Sequence, residues 1–434
     1  MALSIAVEEL ILNNEKNLLA RKSDWTRIPL GSIAKITNGY AFKSKHFVKE
    51  VSQGLPLIRI RDIKSSTTQV NYVGDFSEEY IVNNGDILIG MDGDFDISLW
   101  KGEKALLNQR VCKVVVNSAK YNNRFFYYIL PGYLDAIHSA TSSVTVKHLS
   151  SRDIEKILLP NPSLIDQESL AEVIETQFTR LDAAIKSLKT IKAKLEIYRQ
   201  SVLKAAFQGN LLYKEVDKEK VSLLDAEFQM PRTWKLGKLS DLGEFGRGKS
   251  KHRPRDDKSL YGGKYPFIQT GDVRNAKTRI VNYSDTYNEV GLKQSKLWPT
   301  GTLCITIAAN IADTAILDFD ACFPDSVVGF CAKDSTTSYY VMYFIQFLQK
   351  IIDSQASATA QKNINLAVLE ALDIPVLEID EQKAIVNEIE SRFSVIDKLE
   401  QTITTALLKA ERLRKSILKA AFEGKLADPE KIVD

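Results

Sequence analysis

The segment SVLKAAFQGNL, residues 201–211, returns near the end of the chain as SILKAAFEGKL, residues 416–426. Eight of the eleven residues are identical, and the two copies lie 215 positions apart in a chain of 434 residues. Solenoid proteins repeat every 20 to 50 residues or so, roughly a tenth of this chain. An offset of about half the chain indicates instead that a whole domain with its closing helix has been duplicated. Two similar units predict two similar tasks at two places on one partner.

The duplication extends well beyond these two segments. Three further pairs match in the same order: Trp25-x4-Leu30 with Trp234-x4-Leu239, LPLI at 55–58 with YPFI at 265–268, and GDILI at 85–89 with GTLCI at 301–305. The segments between these anchors differ far more. The sequence therefore indicates that the scaffold was kept in both copies while the loops diverged.

Both copies follow the same predicted order of elements. Each begins with short β-like runs separated by Gly, Asn and Asp, at about 25–120 and 234–335. An aromatic helical stretch follows, at 124–139 and 339–354, and a long amphipathic helix closes each copy. Each closing helix should span roughly 40–45 residues, or roughly 60–65 Å at about 1.5 Å per residue.

Apolar residues in the closing helices recur at alternating steps of three and four, the heptad pattern of a coiled-coil seam. The first helix carries Ile174, Phe178, Leu181, Ile185, Leu188, Ile191, Leu195, Tyr198 and Val202, and the second carries Ile389, Phe393, Ile396, Leu399, Ile403, Ala406, Ala410, Leu413 and Ile417. One such helix cannot bury its stripe alone, so we expect the two to pack together. The predicted contact residues are Leu181, Leu188, Leu195, Val202, Phe207, Ile396, Ile403, Leu413, Ile417 and Phe422. The pattern leaves a parallel and an antiparallel arrangement open.

Composition is that of an ordinary globular protein with two or three domains. The net charge is only +3, so an acidic partner such as DNA would have to meet local basic patches. The four cysteines lack CxxC spacing, which favours reduced, buried thiols over a metal site. The N-terminal apolar stretch carries Glu8 and Glu9, unlike a signal peptide, and no apolar run approaches the roughly 18 residues of a membrane span. We therefore expect a cytoplasmic protein that does not contact membranes.

The sequence contains no recognisable catalytic motif. A phosphate-binding GxxxxGK[ST], HExxH, GxSxG and the Asn/Asp-Pro-Pro-aromatic motif of adenine methyltransferases are all missing. Pro324-Asp325 begins like a nuclease PD-(D/E)xK pattern, but no (D/E)xK follows at a fitting distance, and a turn is the simpler interpretation. A chain of this length without a catalytic constellation favours a binding protein with no catalytic residues of its own.

Two loops at equivalent places are the main candidates for nucleic-acid contact. In the second copy, seven basic residues lie within positions 247–258: Arg247, Lys249, Lys251, His252, Arg253, Arg255 and Lys258, with Ser250 among them. A turn-rich basic segment is typical of a phosphate-contacting loop. The equivalent loop of the first copy holds Lys43, Ser44 and Lys45 beside aromatic residues. The alternative is that both are ordinary solvated loops.

Residues after the LPLI and YPFI runs are candidates for base contacts. The alternation of Arg59 and Arg61 predicts that both lie on one strand face, and Gln269 with Thr270 occupies the matching place. Arg pairs bidentately with guanine and Gln with adenine in the major groove. An equal alternative is that they are solvent-facing strand residues. A further candidate is Arg110, which precedes a strand and for which a structural role is an equal alternative. Lys147 and Lys362 lie at equivalent approaches to a helix, where phosphate contact is reasonable.

The ordered set of these segments resembles the specificity subunit of type I restriction-modification systems. The matching segments are the doubled Trp-x4-Leu opening, LPLIRIRDI and YPFIQTGDV, GDILIG, FPDSVVGF at 323–330, AQKNIN at 360–365, and both SxLKAAFxGxL helix ends. They cover the chain from about residue 25 to 426. The order and duplication of the segments, more than any single motif, carry the resemblance.

The resemblance implies an α+β fold with two β-rich target recognition domains, each of which recognises one half-site of a bipartite sequence in double-stranded DNA. The two conserved helices would pack as an antiparallel coiled coil, a spacer that relates the domains by an internal pseudo-twofold repeat. The resemblance also implies methyltransferase subunits, which carry S-adenosylmethionine, and restriction subunits, which use ATP and Mg. This chain would bind no cofactor itself.

The expected layout has five parts. They are an N-terminal helical segment at 1–24, target recognition domain 1 at 25–160, conserved spacer helix 1 at 161–215, target recognition domain 2 at 216–376 and conserved spacer helix 2 at 377–434. The N-terminal segment lies outside the resemblance, and we expect it to pack on the conserved helices. The alternative from another class is a coiled-coil assembly scaffold with two β-rich protein-binding domains.

A rigid rod converts helix length into a fixed distance between two half-sites on the duplex. We therefore predict that deleting one heptad from both long helices changes the spacer of the DNA target and leaves the half-site letters unchanged. Sequencing the modified adenines in a host that carries the variant and its methyltransferase measures both. An unchanged spacer length would contradict the prediction.

Overall fold

The computed structural model describes residues 6–13, 19–49, 53–141, 147–213, 215–252, 254–308, 311–357, 364 and 366–426. The chain forms two compact units, each assembled from parts of both halves of the sequence. Unit 1 comprises Met1–Leu188 and Thr405–Asp434, and unit 2 comprises Lys189–Thr404. Each unit therefore holds one copy of the β-rich domain together with a part of each long helix.

Unit 1 places a long helix against small sheets. Its elements are α1 (Val7–Leu12), β1 (Thr26–Pro29), β2 (Ala34–Asn38), β3 (Phe47–Val48), β4 (Leu55–Ile58), β5 (Asn71–Tyr72), β6 (Ile81–Val82), β7 (Ile87–Gly90), β8 (Ile97–Leu99), β9 (Ala105–Leu107), β10 (Val111–Val116), α2 (Asn123–Ala140), α3 (Ser151–Glu155), β11 (Leu158–Asn161) and the first part of α4 (Leu164–Phe207). The strands form sheets in the orders β2-β10-β7-β8 and β3-β5-β4-β9-β6, and β1 pairs with β11. The Asn122 side chain caps the start of α2, whose apolar face lies in one core with β7 and β10.

Unit 2 repeats this architecture with different loops. Its further elements are β12 (Lys218–Leu223), β13 (Ala226–Pro231), β14 (Lys235–Lys238), β15 (Gly243–Arg247), β16 (Tyr261–Phe267), α5 (Thr270–Asn275), β17 (Arg279–Ile280), β18 (Asp285–Tyr287), α6 (Glu289–Lys293), β19 (Leu303–Thr306), β20 (Thr314–Leu317), β21 (Val327–Ala332), α7 (Ser335–Ser357), α8 (Leu366–Glu370), β22 (Asp373–Val376) and the first part of α9 (Ile379–Phe422). The main sheet has the order β15-β21-β19-β20-β17, and β16 pairs with β18, β12 with β13 and β14 with β22. The cysteines are unpaired thiols, and burial raises the pKa of Cys112 to about 12.

The two long helices, each of 44 residues, pair by opposite ends in both units. In unit 1 the beginning of α4 packs with the end of α9, and in unit 2 the end of α4 packs with the beginning of α9. This pairing is antiparallel, and it settles the orientation that the heptad pattern left open. The predicted α+β class, the internal repeat and the antiparallel long helices are confirmed.

In unit 1 an arginine of α9 binds an aromatic ring and a carboxylate of α4. The Arg414 guanidinium lies 4.4 Å from the centroid of the Phe178 ring and forms an ion pair with Asp182. Tyr128 of α2 meets the same phenylalanine edge to face, with ring centroids 5.6 Å apart. These contacts join α4, α9 and the helix of the β-rich domain at one point.

Unit 2 repeats this arrangement with the two long helices exchanged. Arg199 of α4 lies 4.5 Å from the Phe393 ring centroid and 2.7 Å from Asp397, and Tyr343 meets the ring at 5.7 Å. Every one of these residues lies 215 positions from its counterpart in unit 1. Unit 2 adds Lys277, 3.1 Å from Asp397. Burial opposes ionisation of Asp397, but hydrogen bonds from Arg199 and Lys277 hold its pKa below the ordinary value.

Most positions of the predicted apolar stripe are covered within the chain, and several are not. Buried residues from the predicted set are Leu181, Leu195, Val202, Phe207, Ile396, Ile403, Ile417 and Phe422, and Leu188 is half-buried. Leu413 is 51% exposed, and Ile191, Tyr198 and Leu399 are exposed as well. A heptad stripe drifts about 20° per repeat around a straight α-helix, so a long helix pair covers it only in part.

The described part of the N-terminal segment lies in the core of unit 1. It shares one buried cluster with the end of α9, formed in part by Val7, Leu10, Ile11, Leu19, Leu418 and Phe422. Gly424 ends α9 with a φ of 68°, and a Cβ there would lie 2.7 Å from Lys22. Its counterpart Gly209 has a φ of 74°, and a Cβ there would lie 2.5 Å from Pro231 of the β12–β13 hairpin. The N-terminal segment of unit 1 thus takes the place of that hairpin in unit 2.

We predict that Arg199→Ala lowers the free energy of unfolding by about 1–2 kcal/mol, because it removes a cation–π contact and an ion pair that are only partly exposed. A double-mutant cycle of Arg199→Ala with Asp397→Asn should show a coupling energy of about 0.5–1 kcal/mol in urea unfolding. The matched control combines Arg199→Ala with Asp182→Asn, whose partner is Arg414, and should be additive. Equal coupling in both cycles would contradict the assigned pairs.

Candidate nucleic-acid interface

In unit 1 the loop after β2 lies directly on the turn between β9 and β10. The Gly39 N–H donates to the Val111 carbonyl at 2.9 Å, and the Gln109 N–H donates to the Tyr40 carbonyl at 2.8 Å. A Cβ on Gly39 would lie 2.0 Å from the carbonyl oxygen of Asn108, so only glycine fits there. This close approach directs the predicted basic loop and the predicted arginine before β10 to one edge of the unit.

Unit 2 contains the same junction. The Gly248 N–H donates to the Val327 carbonyl at 2.9 Å, and a Cβ on this glycine would lie 2.2 Å from the Pro324 carbonyl oxygen. The two glycines occupy matching places in the repeat. The backbone frame of the interface is therefore the same in both units, although the loops that leave it have different sequences.

The predicted cations of unit 1 are exposed or held by acidic partners. Lys43, Ser44 and Lys45 are exposed at a single helical turn after Tyr40. Arg110, in a left-handed conformation with a φ of 74°, places its Nε 3.4 Å from Asp92. Two further contacts lie beside this pair: His148 Nδ1 is 2.6 Å from Asp92, and Lys147 Nζ donates to the His138 carbonyl at 2.6 Å. The backbone of Lys147 and the side chain of Arg110 thus both contact the turn that carries Asp92.

Aromatic rings line the start of the same loop. Tyr40 is 49% exposed, and its ring lies 5.2 Å from both Phe42, which is buried, and Tyr80. Phe42 in turn packs 4.6 Å from Tyr72. Phe42, Tyr72 and Tyr80 therefore pack on the inner side of the loop, and Tyr40 remains exposed next to the lysines. Tyr72 comes from β5 and Tyr80 from a helical turn just before β6, and the sequence did not connect either with the loop.

The basic loop of unit 2 is held through its backbone. Gln294 Oε1 accepts from the N–H groups of Lys251 and His252 at 2.5 and 3.0 Å, and Ser295 Oγ donates to the Lys249 carbonyl at 2.8 Å. The side chains of Lys249 and Lys251 are exposed. These bonds fix the path of the loop without using its ammonium groups, which suits a phosphate-contacting surface.

The other members of this loop have structural contacts. Arg247 is exposed, and its Nε donates to the Asp325 carbonyl at 2.5 Å. Ser250 is only 4% exposed, and its hydroxyl lies 3.3 Å from the Tyr287 hydroxyl. Ser250 therefore anchors the loop, whereas the lysines on either side face solvent. Hydrogen bonds from Ser259 and His252 lower the pKa of Asp257, which closes the far end of the loop.

The prediction that Arg59 and Arg61 share a strand face is wrong. Strand β4 ends at Ile58, and the two arginines enter a single helical turn. The turn forms because Asp62 Oδ2 accepts the Arg59 N–H at 3.0 Å, which caps the turn locally and ends the strand. Arg61 is exposed, whereas the Arg59 side chain is 20% exposed, with its Nε 3.4 Å from Asp62.

Gln269 and Thr270 take the matching place in unit 2. Gln269 precedes α5, and its N–H donates to Asp272 Oδ2 at 2.8 Å, as Arg59 donates to Asp62. Gln269 is exposed and Thr270 half-buried. The Gln269 Nε2 donates to Asp285 Oδ2 at 2.6 Å, and this partner lies 16 residues away, where the sequence did not suggest one. Of the remaining candidates, Arg253 and Lys362 lie outside the described residues.

Comparison with known proteins decides the family. The model of the type I restriction modification DNA specificity domain matches the chain twice, over residues 22–197 and 231–409. The chain belongs to the family of type I restriction-modification specificity subunits. The two matched domains correspond to the two copies of the repeat, so each copy of the interface frame lies in one DNA specificity domain.

Individual relatives match this chain over most of its length. The chain is 36% identical to the EcoBI specificity subunit of Escherichia coli, with 98% of this chain and 91% of that subunit covered. It is 21% identical to the MjaX specificity subunit, described as putative, of Methanocaldococcus jannaschii, with 86% and 87% covered. Both relatives thus match this specificity subunit over most of its length.

Solved structures share the fold. A chain from work on complex assembly and conformational transition of the type I R-M system superposes with a TM-score of 0.70 at 16% identity, covering 94% of this chain and 99% of that chain. The HsdS subunit of Thermoanaerobacter tengcongensis gives 0.52 at 16% identity, covering 93% and 98%. Within the described residues of the specificity subunit, no helix is long and apolar enough for a membrane span, and no group of three or more His, Cys, Asp or Glu side chains could hold a metal ion.

We predict that Lys249→Ala with Lys251→Ala weakens binding of the specificity subunit to its target duplex and reduces the slope of log K against log salt by about 2, because each phosphate contact contributes about 0.9. Fluorescence anisotropy of the complex with its methyltransferase, between 50 and 200 mM salt or so, measures the slope. Lys220→Ala with Lys235→Ala, two exposed lysines on β12 and β14, is the matched control. An unaltered slope in the loop variant would remove this loop from the interface.

Proposed function

We propose that this specificity subunit recognises a bipartite sequence in double-stranded DNA, with one half-site bound by each DNA specificity domain. The main support is the duplicated junction at Gly39 and Gly248, which keeps one backbone frame in both units while the surrounding side chains differ. Tyr40 stands where unit 2 has Lys249, and Arg59 where it has Gln269. One backbone junction that carries two different sets of side chains suits two domains that recognise different DNA sequences.

We propose that the DNA contacts come from the exposed cations around each junction. In unit 1 these are Lys43, Lys45, Arg61 and Arg110, and in unit 2 they are Arg247, Lys249 and Lys251. The net charge of only +3 makes such local patches necessary, since the chain as a whole hardly attracts an anion. Phosphate contacts position a protein on DNA, whereas contacts to base edges specify the sequence.

We propose that the long helices dock methyltransferase and restriction subunits. Support comes from the exposed apolar side chains that the helix pair leaves uncovered: Ile191, Ile197, Tyr198, Leu399, Leu408 and Leu413. Ile191, Ile197, Tyr198 and Leu399 belong to unit 2, and Leu408 and Leu413 belong to unit 1; exposed apolar side chains on the helices of each unit favour partners that cover them. The partners would supply S-adenosylmethionine, ATP and Mg for methylation and cleavage in the cytoplasm, and this chain would contribute recognition without catalysis.

The decisive experiment is a gel shift of the complex between this subunit and its methyltransferase. The modified adenines of a host that carries both proteins first identify the target. We expect a complex with that duplex that survives an excess of scrambled competitor, because matching base contacts add discrimination to the phosphate term. A coiled-coil assembly scaffold, the alternative, predicts equal competition by both duplexes.

A further inference from the structure

The amide of Gln269 is held in one orientation at the edge of unit 2. The side chain is exposed, and its Nε2 donates to Asp285 Oδ2 at 2.6 Å. An ionised carboxylate only accepts hydrogen bonds, so it selects the NH2 end of the amide and excludes the flipped form. Asp285 is itself placed by strand pairing, since it lies opposite Phe267 in the β16–β18 ladder.

The position of this amide is next to the basic loop. The Ile268 N–H donates to the Cys322 carbonyl at 2.8 Å, which places Gln269 beside the segment that Gly248 contacts at Pro324. The exposed lysines of the loop leave from the same junction. The oriented amide and the exposed lysines therefore leave from neighbouring backbone segments of unit 2, an arrangement that suits base and phosphate contacts by one surface.

The bond to Asp285 uses one of the two N–H groups of the amide. The second N–H and the carbonyl Oε1 then form a donor beside an acceptor in a fixed order. In the major groove adenine presents the complementary pair, the acceptor N7 and the donor N6–H. A flipped amide would set acceptor against acceptor and donor against donor, so loss of the orienting carboxylate would cost both contacts.

We propose that Gln269 reads one adenine in the half-site bound by unit 2 and that Asp285 is the positioning residue that keeps its amide from flipping. This proposal rests on the proposed function. Arg59 occupies the same place in unit 1, with φ and ψ of −105° and 164° against −102° and 168° for Gln269. The shared backbone place with a different side chain explains how one frame serves two different half-sites.

The first test sequences the modified sites of hosts that carry the methyltransferase with each variant. Gln269→Glu replaces the outward donor by an acceptor, so we expect preference for adenine at one position to fall roughly ten- to hundredfold, with cytosine gaining. Asp285→Asn should relax that same position and leave every other letter unchanged, because asparagine permits both amide orientations. Glu289→Gln, which removes an exposed carboxylate from α6, is the matched control and should leave the motif unchanged.

The half-site of unit 1 is an internal control in each of these variants. If Gln269→Glu keeps every letter of both half-sites, the proposal is wrong. If Asp285→Asn lowers methylation at all positions alike without relaxing one, Asp285 does not position the amide. Failure of the proposed function gives a different result: the wild-type pair would then modify no bipartite motif at all.

The second test uses the wild-type complex and therefore does not depend on how the variants fold. Each adenine of the target duplex is replaced in turn by 7-deazaadenine, which lacks only the N7 acceptor. We expect one adenine in the half-site of unit 2 whose replacement weakens binding roughly tenfold in fluorescence anisotropy. The Gln269→Glu complex should be insensitive to that replacement. Equal tolerance at every adenine of this half-site would overturn the proposal.

Discussion

The pairing of α4 with α9 is the contact on which the remaining structure depends, because neither helix can bury its apolar stripe alone. In each unit this pairing is fastened by an arginine that lies over a phenylalanine and bonds an aspartate of the other helix. A tyrosine from the β-rich domain packs on the same phenylalanine. In each unit the β-rich domain and the helix pair are therefore held together at this cluster.

The duplicated junction contains a glycine that must be kept in both units, followed by a residue that is free to differ. Gly39 and Gly248 cannot acquire a side chain without a clash against a carbonyl oxygen. The next residue has no such restriction, and it is an exposed tyrosine in unit 1 and an exposed lysine in unit 2. Under the proposed function, a fixed junction followed by variable side chains would let the recognised sequence change at little cost to the fold. The proposal thus assigns specificity to exposed side chains that contribute little to the core of the domain.

Much of the fold could be predicted because its signals are local or repeated. The heptad pattern and the two SxLKAAFxGxL ends located both long helices, and matching segments located both domains. Leu413 fits the heptad pattern but is exposed, because periodicity identifies an apolar face and not what covers it. Arg59 was misplaced because a carboxylate three residues later ends the strand, which alternation alone does not reveal. The partners of Arg110 and Gln269, namely Asp92 and Asp285, come from other strands, so only tertiary structure could supply them.

The composition of unit 1 from both ends of the sequence has a consequence for the order of folding. Phe125 of its domain helix packs against Phe422, with ring centroids 6.0 Å apart, and Phe422 is the final residue of α9. Domains generally fold as they emerge from the ribosome, from the N-terminus onward. Here the domain that is synthesised first cannot complete its core until the end of α9 has been synthesised. A ribosome that stops between residues 404 and 422 would therefore release a protein whose first domain, not its last, is left with exposed apolar surface for chaperones and proteases.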